Sequence, residues 1–300
     1  MTVWTEPRLQ VIFDYLIFIT STRKKGRTMT QLNFTHEDAV AEFAVAGDWH
    51  QNRPYAVACL NNIAEHNSNV KVIVHLGDFL GYGSVNLREK YLDRLQEVCE
   101  ENDQVIAFID GNHEDFNYLF NLPVEDNGTV KLRERIIYLP RGFKWTWNDV
   151  DFMSLGGAPS INRLDLVPHI SWFPEEIVTA GDYMKAMSQG NVDVLFTHDC
   201  PANVDIPGLD NEKLPRNWKK EVLHCNTQRQ RLYNFCETVR PDYLFHGHYH
   251  RDYRAVLNYP DASDEGDVST EIIGKDCDGG DFDKNYSIIN VEELKYKILL

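Results

Sequence analysis

Five short apolar runs, each ending in a cluster of polar residues, constrain this chain more than any other feature. They read "EFAVAGD" (42–48), "KVIVHLGD" (71–78), "QVIAFIDGN" (104–112), "VDVLFTHD" (192–199) and "DYLFHGH" (242–248). Each is rich in β-prone residues without polar alternation, the pattern of a strand buried on both faces. The polar residues then fall in the loops just past the strand ends. Helix-like segments at 53–67, 86–102, 174–189 and 217–239 lie between or beside them. That βαβα order predicts an α/β layered domain. A second, β-rich group at 135–140, 143–149, 150–157, 251–259, 269–275 and 285–291 reads as a second sheet packed on the first.

Composition narrows the partners. With 300 residues, 43% hydrophobic and 25% charged, the chain is long enough to bury a full core. The net charge of −16 repels a phosphate backbone, so tight duplex nucleic-acid binding is not expected. A small anion can still enter where cations reverse the local field. Six dispersed cysteines without a C-x-x-C pair read as reduced thiols of a cytoplasmic protein. The stretch "VIFDYLIFIT" (11–20) is too short for a membrane span and contains Asp14, so no membrane partner is expected. It reads as a loosely docked tail. Met29 follows the basic "RKKGR", so residues 1–28 also read as an extension upstream of a functional start. The expected organisation is an N-terminal extension over 1–33 and a single domain over 34–300. "DASDEGDVST" (261–270) reads as a solvated acidic loop.

The strand ends carry the chemistry. The first has Asp48 and His50, the second Asp78, the third Asn112 and His113, the fourth His198, the fifth His248 and His250. In an open α/β sheet the carboxyl ends of strands meet at one crevice, which would gather groups spread over about two hundred residues. Taken singly each has an ordinary alternative: Asp after Gly is a turn or cap residue, and a loop histidine is usually just hydrogen-bonded. Five such elements at five strand ends are not independent. Asp, Asn and His are metal-ligand types, and the set is too rich for one ion; two adjacent ions sharing a carboxylate fit it better. His75 and His246 read as buried strand histidines. Arg163, Arg216 and His224 could reach a phosphate or base, but read first as solvated or structural side chains. One tryptophan of "WTW" (145–147) reads as core.

These motifs, "DWH" (48–50), "GD" (77–78), "GNHE" (111–114), "TH" (197–198) and "GHYH" (247–250), resemble the calcineurin-like metallophosphoesterases over roughly residues 43 to 295. "LGGAPSINRLD" (155–165) and "SWFPEE" (171–176) are similar to a stretch of bacterial and phage members. The resemblance implies a four-layer αββα sandwich, two mixed β-sheets flanked by helices, with a dinuclear metal site at the strand C-terminal ends. It assigns Asp48, His50 and His250 to one ion, Asn112, His198 and His248 to the other, and Asp78 as the bridge. The ions implied are divalent transition metals, manganese first, with iron, zinc, cobalt or nickel as alternatives. A bridging water acidified to hydroxide would attack phosphorus, and His113 would protonate the leaving oxygen or stabilise the transition state.

One departure matters. Phosphoprotein phosphatases of this superfamily continue the second motif as GDxVDRG, whose Asp orients the catalytic His and whose Arg binds phosphate; here it is "GDFLGYG", with Gly81 at that Asp. The group orienting His113 is therefore open. Glu114 and Asp115 are near in sequence, and both also suit a helix cap. The expected activity is phosphodiester hydrolysis of small or nucleotide-like substrates, with phosphomonoester hydrolysis and a non-catalytic interaction module as alternatives. Selectivity is expected to lie in loops 79–86, 158–173 and 200–230.

Overall fold

The computed structural model describes residues 32, 34, 40–259 and 268–298. Apart from Leu32, the expected N-terminal extension over 1–33 lies outside the described residues, as do positions 261–267 of the acidic loop.

The described chain forms strands β1 (Glu42–Ala46), β2 (Val72–His75), β3 (Val105–Phe108), β4 (Val130–Arg133), β5 (Ile136–Tyr138), β6 (Phe143–Trp147), β7 (Val150–Leu155), β8 (Val194–Thr197), β9 (Tyr243–His246), β10 (Tyr253–Asn258), β11 (Ser269–Gly274) and β12 (Tyr286–Asn290). They pair into two six-stranded sheets, β12-β1-β2-β3-β5-β4 and β10-β11-β9-β8-β7-β6. In each sheet four central strands run parallel and an antiparallel strand closes either edge. The fold is the expected αββα sandwich.

Period-two alternation separates the layers. Phe43 of β1 faces the other sheet, with its ring centroid 5.6 Å from Trp147, 5.7 Å from Phe152 and 6.2 Å from Phe196. Its neighbours Ala44 and Ala46 face the opposite way, under helices α1 (Arg53–His66) and α2 (Val85–Asn102). Small residues there let Leu60, Ile63, Leu92 and Leu95 pack close to the sheet. On the outer side of the second sheet, Met153, Leu155, Leu195 and Leu244 pack with Tyr183 and Ala186 of a helix at Ala180–Ser188 and with Leu232 and Phe235 of another at Val222–Val239. Removing one buried aromatic from such a core costs about 3–5 kcal/mol. Both Trp145 and Trp147 are buried in the inter-sheet layer, not one of them.

Helix starts follow local chemistry. Asn52 accepts a hydrogen bond from the Tyr55 amide at 3.3 Å ahead of Pro54. Thr179 and Asp182 form a reciprocal capping box.

The strand grouping differs from the expectation. The fourth and fifth ligand-bearing runs, β8 and β9, belong to the second sheet, while 135–140 and 285–291 join the first as β5 and β12. A fully apolar run reads the same in either sheet, because pairing is fixed by contacts far apart in sequence. The candidate ligands therefore converge from both sheets, and the crevice lies between them.

Candidate metal centre

β1, β2 and β3 deliver Asp48, His50, Asp78, Asn112 and His113 from the first sheet, and β8 and β9 deliver His198, His248 and His250 from the second. Among the described residues two sets of donor atoms lie within 4.8 Å of one another: Asp48, His50 and His250, and Asp48, Asp78 and His198. Asp78 straddles the sets, with Oδ2 3.5 Å from His50 Nε2 and Oδ1 3.4 Å from His198 Nε2. Asn112 Oδ1 is 3.1 Å from the same His198 Nε2. His250 Nε2 is 3.2 Å from Asp48 Oδ2. His248 is less central: its ring lies 5.0 Å from that of His198, and its amide donates to Asp48 Oδ2 at 3.0 Å.

The backbone is bent to achieve this. His50, Asp78, His248 and His250 all have left-handed φ, at 45°, 55°, 68° and 52°. Each such residue costs on the order of 1–3 kcal/mol and persists only where the surroundings dictate it. Glycine at 111 answers a different need: a Cβ there would sit 2.2 Å from Asp78 Oδ1, so the turn of "DGNHED" can close on the carboxylate only without a side chain.

The electrostatics call for cations. Asp48 and Asp78 are buried, and no lysine or arginine among the described residues pairs with either. Burial works against protonating His198, but the charges of Asp78 and Asp48 outweigh it and push the imidazole up to about 10. Against the same opposition from burial, the Asp78 side chain raises His50 to about 9, and Asp48 with Cys277 raises His250 to about 11. A site that otherwise draws protons onto three imidazoles fits divalent cations, which balance the carboxylates and leave neutral histidines as ligands.

A second set of residues holds these groups in place, and most of it was not legible in sequence. Asp278, past the end of β11, meets His50 Nδ1 at 2.7 Å and accepts from Asn52 Nδ2 at 2.6 Å. That contact fixes the tautomer that presents Nε2. The His198 Nδ1 lies 2.7 Å from the Leu76 carbonyl and serves the same purpose. Asn112 donates from Nδ2 to Ser160 Oγ at 3.1 Å, which turns its Oδ1 toward His198. Ser160 in turn donates to Glu176 through Oγ and N, both at 2.7 Å, and Trp172 Nε1 donates to Glu176 at 2.8 Å. Thus "APSINRLD" and "SWFPEE" clasp a candidate ligand. Arg141 donates to Asp110 through Nε at 2.9 Å and Nη2 at 2.5 Å, and to the carbonyls of Glu175 and Ile177 at 2.8 Å, anchoring the turn that carries Asn112 and His113.

Around His113 the two acidic neighbours point elsewhere. Glu114 points inward and accepts from the amides of Phe79 and Leu80 at 2.7 and 2.8 Å, while Asp115 caps the short helix α3 (Phe116–Leu119) and pairs with Arg88 at 2.6 Å. Neither touches the imidazole. Its Nδ1 lies 3.2 Å from the Tyr82 hydroxyl, and the two rings stack with centroids 5.4 Å apart. Tyr82 comes directly after Gly81, so the loop that lacks the expected Asp supplies a phenol instead. Of the weaker candidates, Arg163 pairs with Glu221, Arg216 is exposed, and His224 sits on the Val222–Val239 helix. His75 and His246 are buried strand residues, as expected.

No curated protein matches the chain. Solved structures with a similar arrangement include TT1561 of Thermus thermophilus, at 10% identity over 85% of this chain and 96% of that one, with a TM-score of 0.48. Another is GAP50, the anchor in the inner membrane complex of Plasmodium, at 13% identity over 78% and 70% of the two chains, with a TM-score of 0.42. Likenesses of this strength bear on neither fold nor activity. The model of the calcineurin-like phosphoesterases, by contrast, matches residues 41–252. That span contains the five strand ends and the convergent Asp, Asn and His side chains, and the chain belongs to the calcineurin-like phosphoesterase family.

Proposed function

We propose that this phosphoesterase is a cytoplasmic phosphodiesterase acting on small, nucleotide-like diesters through a pair of divalent ions, manganese foremost, carried by a single domain over residues 34–300. Asp48, His50 and His250 would hold one ion and Asn112, His198 and His248 the other, with Asp78 shared between them. The support for the bridge is that the two Asp78 oxygens face histidines of different sets. The mixed carboxylate, amide and imidazole donors suit manganese, with iron, zinc, cobalt and nickel also accommodated. When bound, such a pair lowers the pKa of an attacking water and offsets charge on the phosphoryl oxygens.

The chain's own part is to place and protonate. The Asp78 carboxylate accepts from the His113 amide at 2.7 Å and Tyr82 occupies its Nδ1, so Nε2 is the nitrogen left to give a proton to the leaving oxygen. The preference for a diester rests on one observation. No arginine or lysine among the described residues contacts Asp48, Asp78 or His113, and Gly81 and Tyr82 stand where the His-orienting Asp and the phosphate-binding Arg of the phosphoprotein phosphatases would be. A monoanionic diester needs less positive charge than a monoester dianion.

The test is metal-stripped protein refilled ion by ion and assayed on linear diesters, cyclic nucleotides and monoesters, alongside His113→Ala. The variant should keep both ions while turnover falls by about 10² to 10⁴. The loss should be smaller for a p-nitrophenolate leaving group than for an alkoxide. A preference for monoesters overturns the diester reading; a rate ratio flat across leaving groups, or loss of metal, removes His113 as the acid.

A further inference from the structure

A groove of about 460 Å³ opens one ring away from His113. Three stretches build it: residues 82–88 after β2, residues 115–118 after His113, and residues 169–173 ahead of Glu176. Its walls are aromatic. Tyr82 lies between the groove and His113, Tyr118 carries the Arg88 guanidinium 3.7 Å over its ring, and Phe173 is buried behind them. Its rim is apolar, with Val85 and Ile170 60% and 66% exposed. A lone exposed aliphatic side chain is ordinary, but two large ones rimming an aromatic groove beside a catalytic centre mark a binding surface.

Charge narrows the occupant. Arg88 and Asp115, the permanently charged groups of the wall, pair at 2.6 Å, so the groove offers no free cation to a second phosphate. Asn117 and His169 supply polar edges, with Asn117 Nδ2 3.4 Å from the His169 carbonyl. Aromatic faces, polar edges and no unbalanced charge suit a neutral planar group.

We propose that this groove holds the leaving group of the diester, and that the leaving group is a nucleoside, its base among the aromatic walls and its ribose oxygen toward His113. The assignment rests on the phosphodiesterase reading above. In the reaction the bond from phosphorus to the ribose oxygen breaks as water supplies a new oxygen to phosphorus. His113 gives its proton to the ribose oxygen, and a proton of the attacking water restores the imidazole. The nucleoside leaves uncharged, and the other product is a phosphomonoester. A nucleotide or sugar phosphate in the same place would set its charge against Asp115 with no cation to spare.

Adenosine and ribose titrated calorimetrically into the metal-loaded protein test this, with Ile170→Asp and Tyr118→Ala as variants and melting temperature and metal content as controls. Ile170 is exposed enough that its variant should fold. Adenosine should bind saturably and ribose should not, and each variant should weaken adenosine about tenfold or more. Equal affinity in the variants, equal binding of ribose, or no adenosine binding at millimolar concentration overturns the groove assignment. Turnover of ethyl p-nitrophenyl phosphate by the same preparation separates the two claims. If no diester is hydrolysed, the leaving-group role falls with its parent reading; if diesters are hydrolysed and adenosine fails, the groove assignment alone falls.

Discussion

The two donor sets of the candidate centre share Asp48 and differ in nearly everything around it. In the inner set the His198 and Asp78 side chains are 0% and 2% exposed; in the outer set His50 and His250 are 27% and 40% exposed. The inner histidine is fixed by a main-chain carbonyl, that of Leu76, which belongs to the sheet scaffold. The outer one is fixed by Asp278, a side chain on a loop past β11. One centre is thus built from a buried half and a half that solvent reaches. An ion in the inner half should exchange slowly and one in the outer half readily, because water reaches the candidate ligands mainly there.

The largest expected effect comes from removing the proposed bridge. Asp78→Ala should lose both ions, or leave one weak site, and lower turnover by about 10³-fold or more, as loss of preorganised charge at a reacting centre does. His50→Ala should empty the outer half alone. Elemental analysis with parallel turnover decides it: two tightly held ions in Asp78→Ala would make Asp48, the carboxylate common to both donor sets, the true bridge.

A smaller effect sharpens the contrast. Asp278→Asn keeps the size of the side chain and removes the charge that orients His50, so outer-ion affinity should fall about 10–100-fold while the inner ion is unchanged. Metal titration followed by calorimetry reads both sites. If both weaken alike, the halves are a single cooperative unit and the comparison fails.

What the sequence disclosed follows a different division, between the candidate ligands and the groups that hold them. Asp48, Asp78, Asn112 and the histidines lie at strand ends, where a local apolar run announces the position of the next polar residue. Their partners have no such herald. Asp278 sits 228 residues from His50, and Arg141 lies 31 residues from Asp110, in a loop whose sequence, "LPRGF", signals only a turn. Glu114 and Asp115 are adjacent and chemically alike, yet one ties two loops together from inside and the other caps a helix. Only the direction of each Cα–Cβ bond in the folded turn separates them. Sheet membership failed for a related reason, since a four-residue run buried on both faces carries no mark of which sheet buries it. β4, with its period-two burial over "VKLR", was too short and too charged to stand out.

The smallest expected effect probes the clasp of the inner half. Glu176 is buried, and burial raises its carboxyl to about 7 despite hydrogen bonds from the Ser160 amide and hydroxyl and the Trp172 indole. Unfolded, the group returns to the ordinary glutamate value of 4.5. Between those values the folded protein keeps a proton that the unfolded chain has released. Stability contributed by this group is therefore present at low pH and lost as pH rises through about 4.5 to 7. Glu176→Gln carries no titrating proton, so it cannot show that loss. The variant should melt below the wild type near pH 5, where the protonated carboxyl is well placed, and the gap should narrow toward pH 8 by about 1–3 kcal/mol, a few degrees of Tm. Taking the difference between the two proteins cancels every other titrating group that they share. A gap constant with pH would mean that Glu176 is ionised throughout. The Ser160 and Trp172 donors would then suffice to hold a buried charge, and the inner half would owe its Asn112 orientation to a permanent carboxylate.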